Sequence, residues 1–107
     1  MGLHVDDLPA NLESLSDSAL TALLKSAEDE ERSISRRRTV VQRRVENIQV
    51  RSSAALAEFD PELLSALQEE ERALSRRRLQ LHQTIIDLRV ERSSRIDRLA
   101  LHPSSGA

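Results

Sequence analysis

The chain has 107 residues, of which 38% are hydrophobic and 32% are charged, and its only aromatic residue is Phe59. So few apolar side chains cannot fill a thick layered core, but they can fill a seam between helices, which needs two or three apolar positions in every seven. The 16 basic and 18 acidic residues leave a formal charge of −2, which disfavours direct DNA binding. The absence of cysteine excludes disulfides and cysteine-ligated metals.

The sequence also lacks the signals of export and membrane insertion. No apolar run approaches 18 residues, and the first residues do not have the pattern of a signal peptide. We therefore expect a cytoplasmic protein without membrane contact.

The first helix is predicted at about 16–57, after a flexible N-terminal arm at 1–15. The arm shows no sustained hydrophobic period and contains Pro9, whereas Ser16 suits a helix N-cap. The helix then repeats seam residues in alternating steps of four and three, as coiled coils do. Its predicted seam positions are Leu20, Leu24, Ala27, Glu31, Ile34, Arg38, Val41, Val45, Ile48, Ser52 and Ala55.

The second helix is predicted at about 60–99, followed by a flexible tail at 101–107. Asp60 suits its N-cap and Pro61 its first helical position. A short connection makes two long helices antiparallel neighbours, so the sequence predicts an all-α fold, an antiparallel coiled-coil hairpin over residues 16–100. The second seam is predicted to contain Leu64, Leu67, Glu71, Leu74, Arg78, Leu81, Ile85, Leu88 and Arg92.

The two helices are copies of each other. A shift of 40 residues places ERSISRRR (31–38) on ERALSRRR (71–78), which indicates an internal duplication. At about 100° per residue, five polar side chains of the first helix share one arc of about 80°. These five are Glu31, Ser35, Arg38, Gln42 and Glu46, and the second helix has Glu71, Ser75, Arg78 and His82 at the matching positions, with Ile86 in the fifth.

The two copies are predicted to meet across the seam. If the turn is centred near residue 58, Arg38 faces Arg78 about an approximate twofold axis. Two facing arginines repel and lose hydration, which a seam shaped by stability alone avoids, so an anionic and roughly twofold ligand is expected between them. Arginine grips phosphate and guanine bidentately, and a carboxylate accepts from the Watson–Crick edge of guanine. A cyclic dinucleotide fits these groups better than duplex DNA does.

A structural alternative remains open from the residues alone. Charged seam residues also fix register in coiled coils that bind no ligand, which would make the protein a structural adaptor or oligomerisation module. The duplication favours a ligand, because stability requires the apolar pattern to be repeated and does not require the polar residues to be kept twice.

The spacing Glu31-x3-Ser35-x2-Arg38-x3-Gln42-x3-Glu46 resembles the Glu-x3-Ser-x2-Arg-x3-Gln-x3-Asp motif of the RsiG-type anti-sigma factors of actinobacteria. The likeness extends from residue 12, where LESLSDSALTALL resembles that family's approach to its first helix, to about residue 92. It implies that the motif on each helix binds cyclic di-GMP. It also implies that the loaded protein captures a WhiG-type sigma factor and keeps it from its promoters.

The resemblance is closer in the first helix than in the second. Glu46 replaces the aspartate of the motif and keeps the carboxylate, whereas in the second copy His82 stands for the glutamine and Ile86 for the aspartate. His82 can still donate or accept a hydrogen bond, and Ile86 cannot. Because the family includes members with one motif that dimerise to pair two copies, a homodimer built on the first helix is an alternative to a single-chain site.

Neither an enzyme nor a metal protein is expected. No Ser–His–Asp set or pair of catalytic carboxylates is arguable, and a two-helix hairpin lacks an enclosed pocket. His4 and His102 fall in the predicted arm and tail, away from other residues at metal-ligand spacing.

Overall fold

A computed structural model describes residues 6, 8, 11–53 and 60–101. It contains a short 3-10 helix, Leu12–Ser14, and two α-helices, α1 (Asp17–Ser53) and α2 (Pro61–Leu101). The two α-helices pack against each other, which confirms the predicted all-α hairpin. At 37 and 41 residues, both helices have the length that the uninterrupted seams predicted.

Helix α1 begins where its sequence signals predicted. The Ser16 hydroxyl accepts a hydrogen bond from the amide of Ala19 at 3.1 Å, and so satisfies one of the amides that the first turn leaves without a partner. The described helix ends at Ser53, and the predicted end near residue 57 lies outside the described residues.

Helix α2 has the predicted cap as well. The Asp60 carboxylate accepts hydrogen bonds from the amides of Glu62 and Leu63, both at 3.1 Å, and Pro61 is the first helical residue. The helix continues to Leu101, two residues beyond the predicted end, and the rest of the predicted tail, 102–107, lies outside the described residues.

The last residues of the predicted N-terminal arm are held in place. The Asn11 side chain caps the 3-10 helix by accepting from the amide of Glu13 at 3.0 Å. Arg95 of α2 donates to the carbonyl oxygens of Leu12 at 3.2 Å and Leu15 at 2.7 Å. The backbone of the segment 12–15 therefore contacts α2, and the flexibility of the arm at 1–15 stays a prediction.

The residues divide into two compact units, which we describe separately. The terminal unit comprises residues 1–30 and 81–107, and the turn unit comprises residues 31–80. In the described part of the terminal unit the buried apolar residues are Leu20, Leu23, Leu24, Ala27, Leu81, Ile85 and Leu88. All of these except Leu23 are predicted seam positions.

One predicted seam position of the terminal unit is wrong. Arg92 is exposed, whereas the side chains of Glu91 and Arg95 are only 12% and 17% exposed. Beyond Leu88, α2 lies against the segment that precedes α1, and Arg95 contacts the carbonyl oxygens of that segment. The pattern of enclosed residues in α2 changes where its partner is no longer an α-helix.

None of the described helices has the length and apolarity required to cross a membrane.

Candidate ligand-binding seam

The turn unit has a thin apolar core. Among its described residues only Val41, Val45 and Leu67 are buried, and the partly buried Ile48, Leu64 and Leu74 pack against them. Residues 31–40 and 68–80 contain no buried side chain. This gap contains most of the duplicated motif, so polar groups occupy the positions that an apolar seam would otherwise fill.

Six motif residues of the turn unit are half-buried, and we call them the polar seam. Side chains three and four positions apart are neighbours on the surface of a helix, so the spacing of the motif places its residues on one face of each helix. The polar seam consists of Glu31, Ser35, Arg38 and Gln42 of α1 and Glu71 and Ser75 of α2.

The first contact between the two copies of the motif joins an amide to a carboxylate. Gln42 donates from Nε2 to Glu71 Oε1 at 3.0 Å, and both side chains are half-buried. A hydrogen bond to a charged acceptor is stronger than one between neutral groups, so this bond orients both side chains.

The second contact between the two copies of the motif is an ion pair. The Arg78 guanidinium lies 3.8 Å from a carboxylate oxygen of Glu31, which is an ion pair at a distance too long for a strong hydrogen bond. Beside it, Arg37 Nε donates to Glu70 at 2.7 Å, and that hydrogen bond raises the pKa of Arg37. Glu70 and Arg37 were not assigned to the site from the sequence, because neither belongs to the duplicated motif.

These contacts correct the predicted register. A turn centred near residue 58 would place Arg78 opposite Arg38 and Gln42 opposite Leu74. Instead Arg78 reaches Glu31, and Gln42 reaches Glu71. Each partner lies between three and seven positions before the expected one. Neither contact involves Arg38, so the prediction that Arg38 and Arg78 lie near each other across the seam stays a prediction.

Arg38 is the unsatisfied member of the polar seam. Under the 40-residue repeat, the counterpart of the Arg78–Glu31 pair is Arg38 with Glu71, but Glu71 is hydrogen-bonded to Gln42. The Nε atom of Arg38 is buried and has no hydrogen-bond acceptor among the described residues. A buried donor left without a partner costs about 1–3 kcal/mol, so an acceptor that reached this atom would stabilise the polar seam.

The other predicted site residues are less enclosed. Ser35 and Ser75 are half-buried, and the backbone carbonyl of Ser35 accepts from the Thr39 hydroxyl at 3.0 Å. Glu46 is exposed on α1. His82 is exposed in the terminal unit, where Ile86 is also exposed at 39%. Of the predicted site residues, the structure therefore brings two pairs into contact, Gln42 with Glu71 and Arg78 with Glu31. Ser35, Arg38 and Ser75 are half-buried in the same unit.

One side chain with four hydrogen bonds lies outside the motif. Arg95 donates to Glu91 at 2.9 Å and to Asp17 at 2.7 Å, in addition to the two carbonyl oxygens of the N-terminal segment. The hydrogen bond to Glu91 raises the pKa of Arg95, and the one to Asp17 adds to this effect. All four partners belong to the protein itself, so we assign Arg95 a structural role.

Among the described residues no three His, Asp or Glu side chains are grouped as metal ligands would be. Comparisons with protein-family models, with curated proteins and with solved structures find no match to this chain.

Proposed function

We propose that the protein is a cytoplasmic anti-sigma factor that binds cyclic di-GMP through its duplicated motif and, in that state, sequesters a WhiG-type sigma factor. The proposal starts from the motif resemblance, and one structural observation carries it further. That observation is Arg38, whose Nε atom is buried in the polar seam without an acceptor.

The polar seam offers the groups that a guanine dinucleotide requires. The Arg38 guanidinium can donate to a phosphate oxygen or to the O6 and N7 atoms of guanine. The carboxylates of Glu31 and Glu71 can accept from the Watson–Crick edge of guanine, and Gln42 can donate or accept. The same side chains are half-buried, and charge-assisted hydrogen bonds are stronger there than in open water.

Thermal unfolding tests the nucleotide part of the proposal. Cyclic di-GMP at 100 times its Kd should stabilise the fold by about 2.7 kcal/mol, which corresponds to a rise in Tm of roughly 10–20 °C for a domain of this size. Cyclic di-AMP should have a much smaller effect, because adenine presents a donor where guanine presents the O6 acceptor. Equal stabilisation by both nucleotides, or by neither, would contradict the proposal.

Capture of a sigma factor tests the regulatory part. The immobilised protein should retain a purified WhiG-type sigma factor in the presence of cyclic di-GMP and release it when the nucleotide is washed out, because ligand and partner are expected to favour the same state. A housekeeping sigma factor serves as the control. Retention that does not respond to the nucleotide would refute the proposed switch.

One observation favours the alternative of a structural adaptor. The Gln42–Glu71 bond and the Arg78–Glu31 pair already satisfy part of the polar seam, as expected of charged residues that only fix register. In that case cyclic di-GMP would leave the Tm unchanged. The adaptor interpretation gives no role to the buried Nε atom of Arg38.

A further inference from the structure

A second surface of the turn unit combines apolar side chains, which we call its apolar floor, with two arginines. A shallow groove runs between α1 and α2, and none of the described residues that line it is acidic. Its lining residues are Arg44, Asn47, Ile48 and Arg51 of α1 with Leu63 and Leu67 of α2. Leu63 is 49% exposed and lies in this lining beside the buried Leu67.

Among the described residues, no carboxylate contacts the two arginines of the groove. In the described part of the chain neither Arg44 nor Arg51 has an ion pair or hydrogen bond. By contrast, Arg37, Arg72 and Arg78 of the same unit each contact a glutamate. The groove therefore keeps two cationic side chains available to a partner.

The local charge supports an acidic occupant. From residue 32 to residue 51, α1 carries seven arginines and a single acidic residue, Glu46. The turn unit as a whole has 11 arginines and 8 acidic residues, although the full chain has a formal charge of −2. A negatively charged partner is attracted to this part of the molecule in particular.

The apolar floor points to a protein helix as the occupant. Phosphate backbones gain nothing from leucine and isoleucine, and single-stranded nucleic acids bind mainly by stacking on aromatic rings, which this groove does not contain. A membrane surface would require a broader apolar face than one exposed leucine. An amphipathic helix lays its apolar residues in such a groove.

We infer that this groove binds an acidic amphipathic helix of a protein partner. Arg44 and Arg51 are seven residues apart, so they lie on one face of α1 about 10 Å apart along its axis. A partner helix with two carboxylates seven residues apart matches them, and an aliphatic side chain between the carboxylates contacts Leu63. The groove is separate from the polar seam, and this inference does not depend on nucleotide binding.

A charge-swap experiment tests the inference. The probe is a fluorescein-labelled alanine-based helical peptide of 18 residues, with Glu at two positions seven apart and Leu between them, and a matched peptide carries Lys in place of Glu. By fluorescence anisotropy, the wild-type protein should bind the Glu peptide, and the double variant R44E/R51E should bind it at least 10-fold more weakly. The double variant should bind the Lys peptide better than the wild type does.

Further measurements distinguish the contribution of Leu63 from that of the two arginines, and both from binding at the polar seam. Leu63→Ser should also weaken binding of the Glu peptide several-fold. The Leu63→Ser and R44E/R51E variants should both keep the wild-type circular dichroism spectrum and the wild-type affinity for cyclic di-GMP. Failure of the Glu peptide to bind, or binding that is indifferent to R44E/R51E, overturns the inference. So does tighter binding of a 20-nucleotide oligo-dT or of phosphatidylserine vesicles that depends on the same arginines, or a dimer of the chain that Leu63→Ser dissociates.

Discussion

Arg38→Ala is expected to weaken cyclic di-GMP binding by about 10- to 100-fold, which calorimetry would record as near-complete loss of binding. Charge-assisted hydrogen bonds contribute about 1.5–3 kcal/mol each, and each 1.4 kcal/mol is a factor of ten in affinity. The same substitution removes a buried donor that lacks an acceptor, so the free protein should not be destabilised. A large loss of affinity without a loss of stability is the signature of a residue that serves the ligand.

Arg36→Ala is the matched control for this variant. Arg36 lies in the same arginine triplet, and its substitution removes the same charge. Unlike Arg38, the Arg36 side chain is exposed. Its substitution should leave the affinity within about twofold of wild type, because exposed charges are largely screened at physiological ionic strength. If Arg36→Ala and Arg38→Ala weaken binding equally, general electrostatic attraction would explain the effect and the polar seam would not.

The counterpart variant, Arg78→Ala, distinguishes a single-chain site from a homodimer. In a single chain both copies of the motif contribute, and Arg78→Ala should weaken binding as Arg38→Ala does. In a homodimer that pairs two first helices only Arg38→Ala matters, and the ligand-bound mass should be about twice the 12.1 kDa of the chain. The contact of Arg78 with Glu31 inside one chain favours the single-chain site.

The helices were predictable from the sequence because their signals are local. Ser16, Asp60 and Pro61 fix helix starts through groups within three residues, and each cap is found where it was predicted. The seam positions were also predictable in most cases, because apolar residues at steps of three and four form one apolar face of a helix, and that face is buried. These features depend on the spacing of residues along one helix and on nothing further away.

The register across the seam was not predictable in the same way. The pairing of Gln42 with Glu71 depends on how Val41, Val45 and Leu67 pack, and the sequence pattern of either helix is compatible with a slip of one turn. The role of Arg95 was missed for a related reason. Its partners at Leu12 and Leu15 are backbone carbonyl oxygens, which leave no signal in the residue types.

Leu67→Ala is expected to lower the free energy of unfolding by about 2–5 kcal/mol, as other leucine truncations in packed cores do. The effect should be concentrated in the turn unit, where Leu67 is one of three buried residues in the described part, against seven in the terminal unit. The control is Leu79→Ala in the same helix and unit, which removes the same atoms from a side chain that is 72% exposed and should change the stability by less than about 0.5 kcal/mol.

Amide hydrogen exchange locates the loss and connects it to the ligand. In the Leu67→Ala variant, protection should fall at residues 41–48 and persist at residues 20–27, because local opening follows the density of buried contacts. If cyclic di-GMP binds the polar seam as proposed, it stabilises the folded turn unit by mass action, and saturating nucleotide should restore much of the lost protection. Protection that falls equally in both units would mean that they unfold together, and protection that the nucleotide does not restore would place its site outside the turn unit. Because its apolar core is thin and Arg38 Nε has no acceptor among the described residues, we expect a ligand bound to the polar seam to increase the order of the turn unit more than that of the terminal unit.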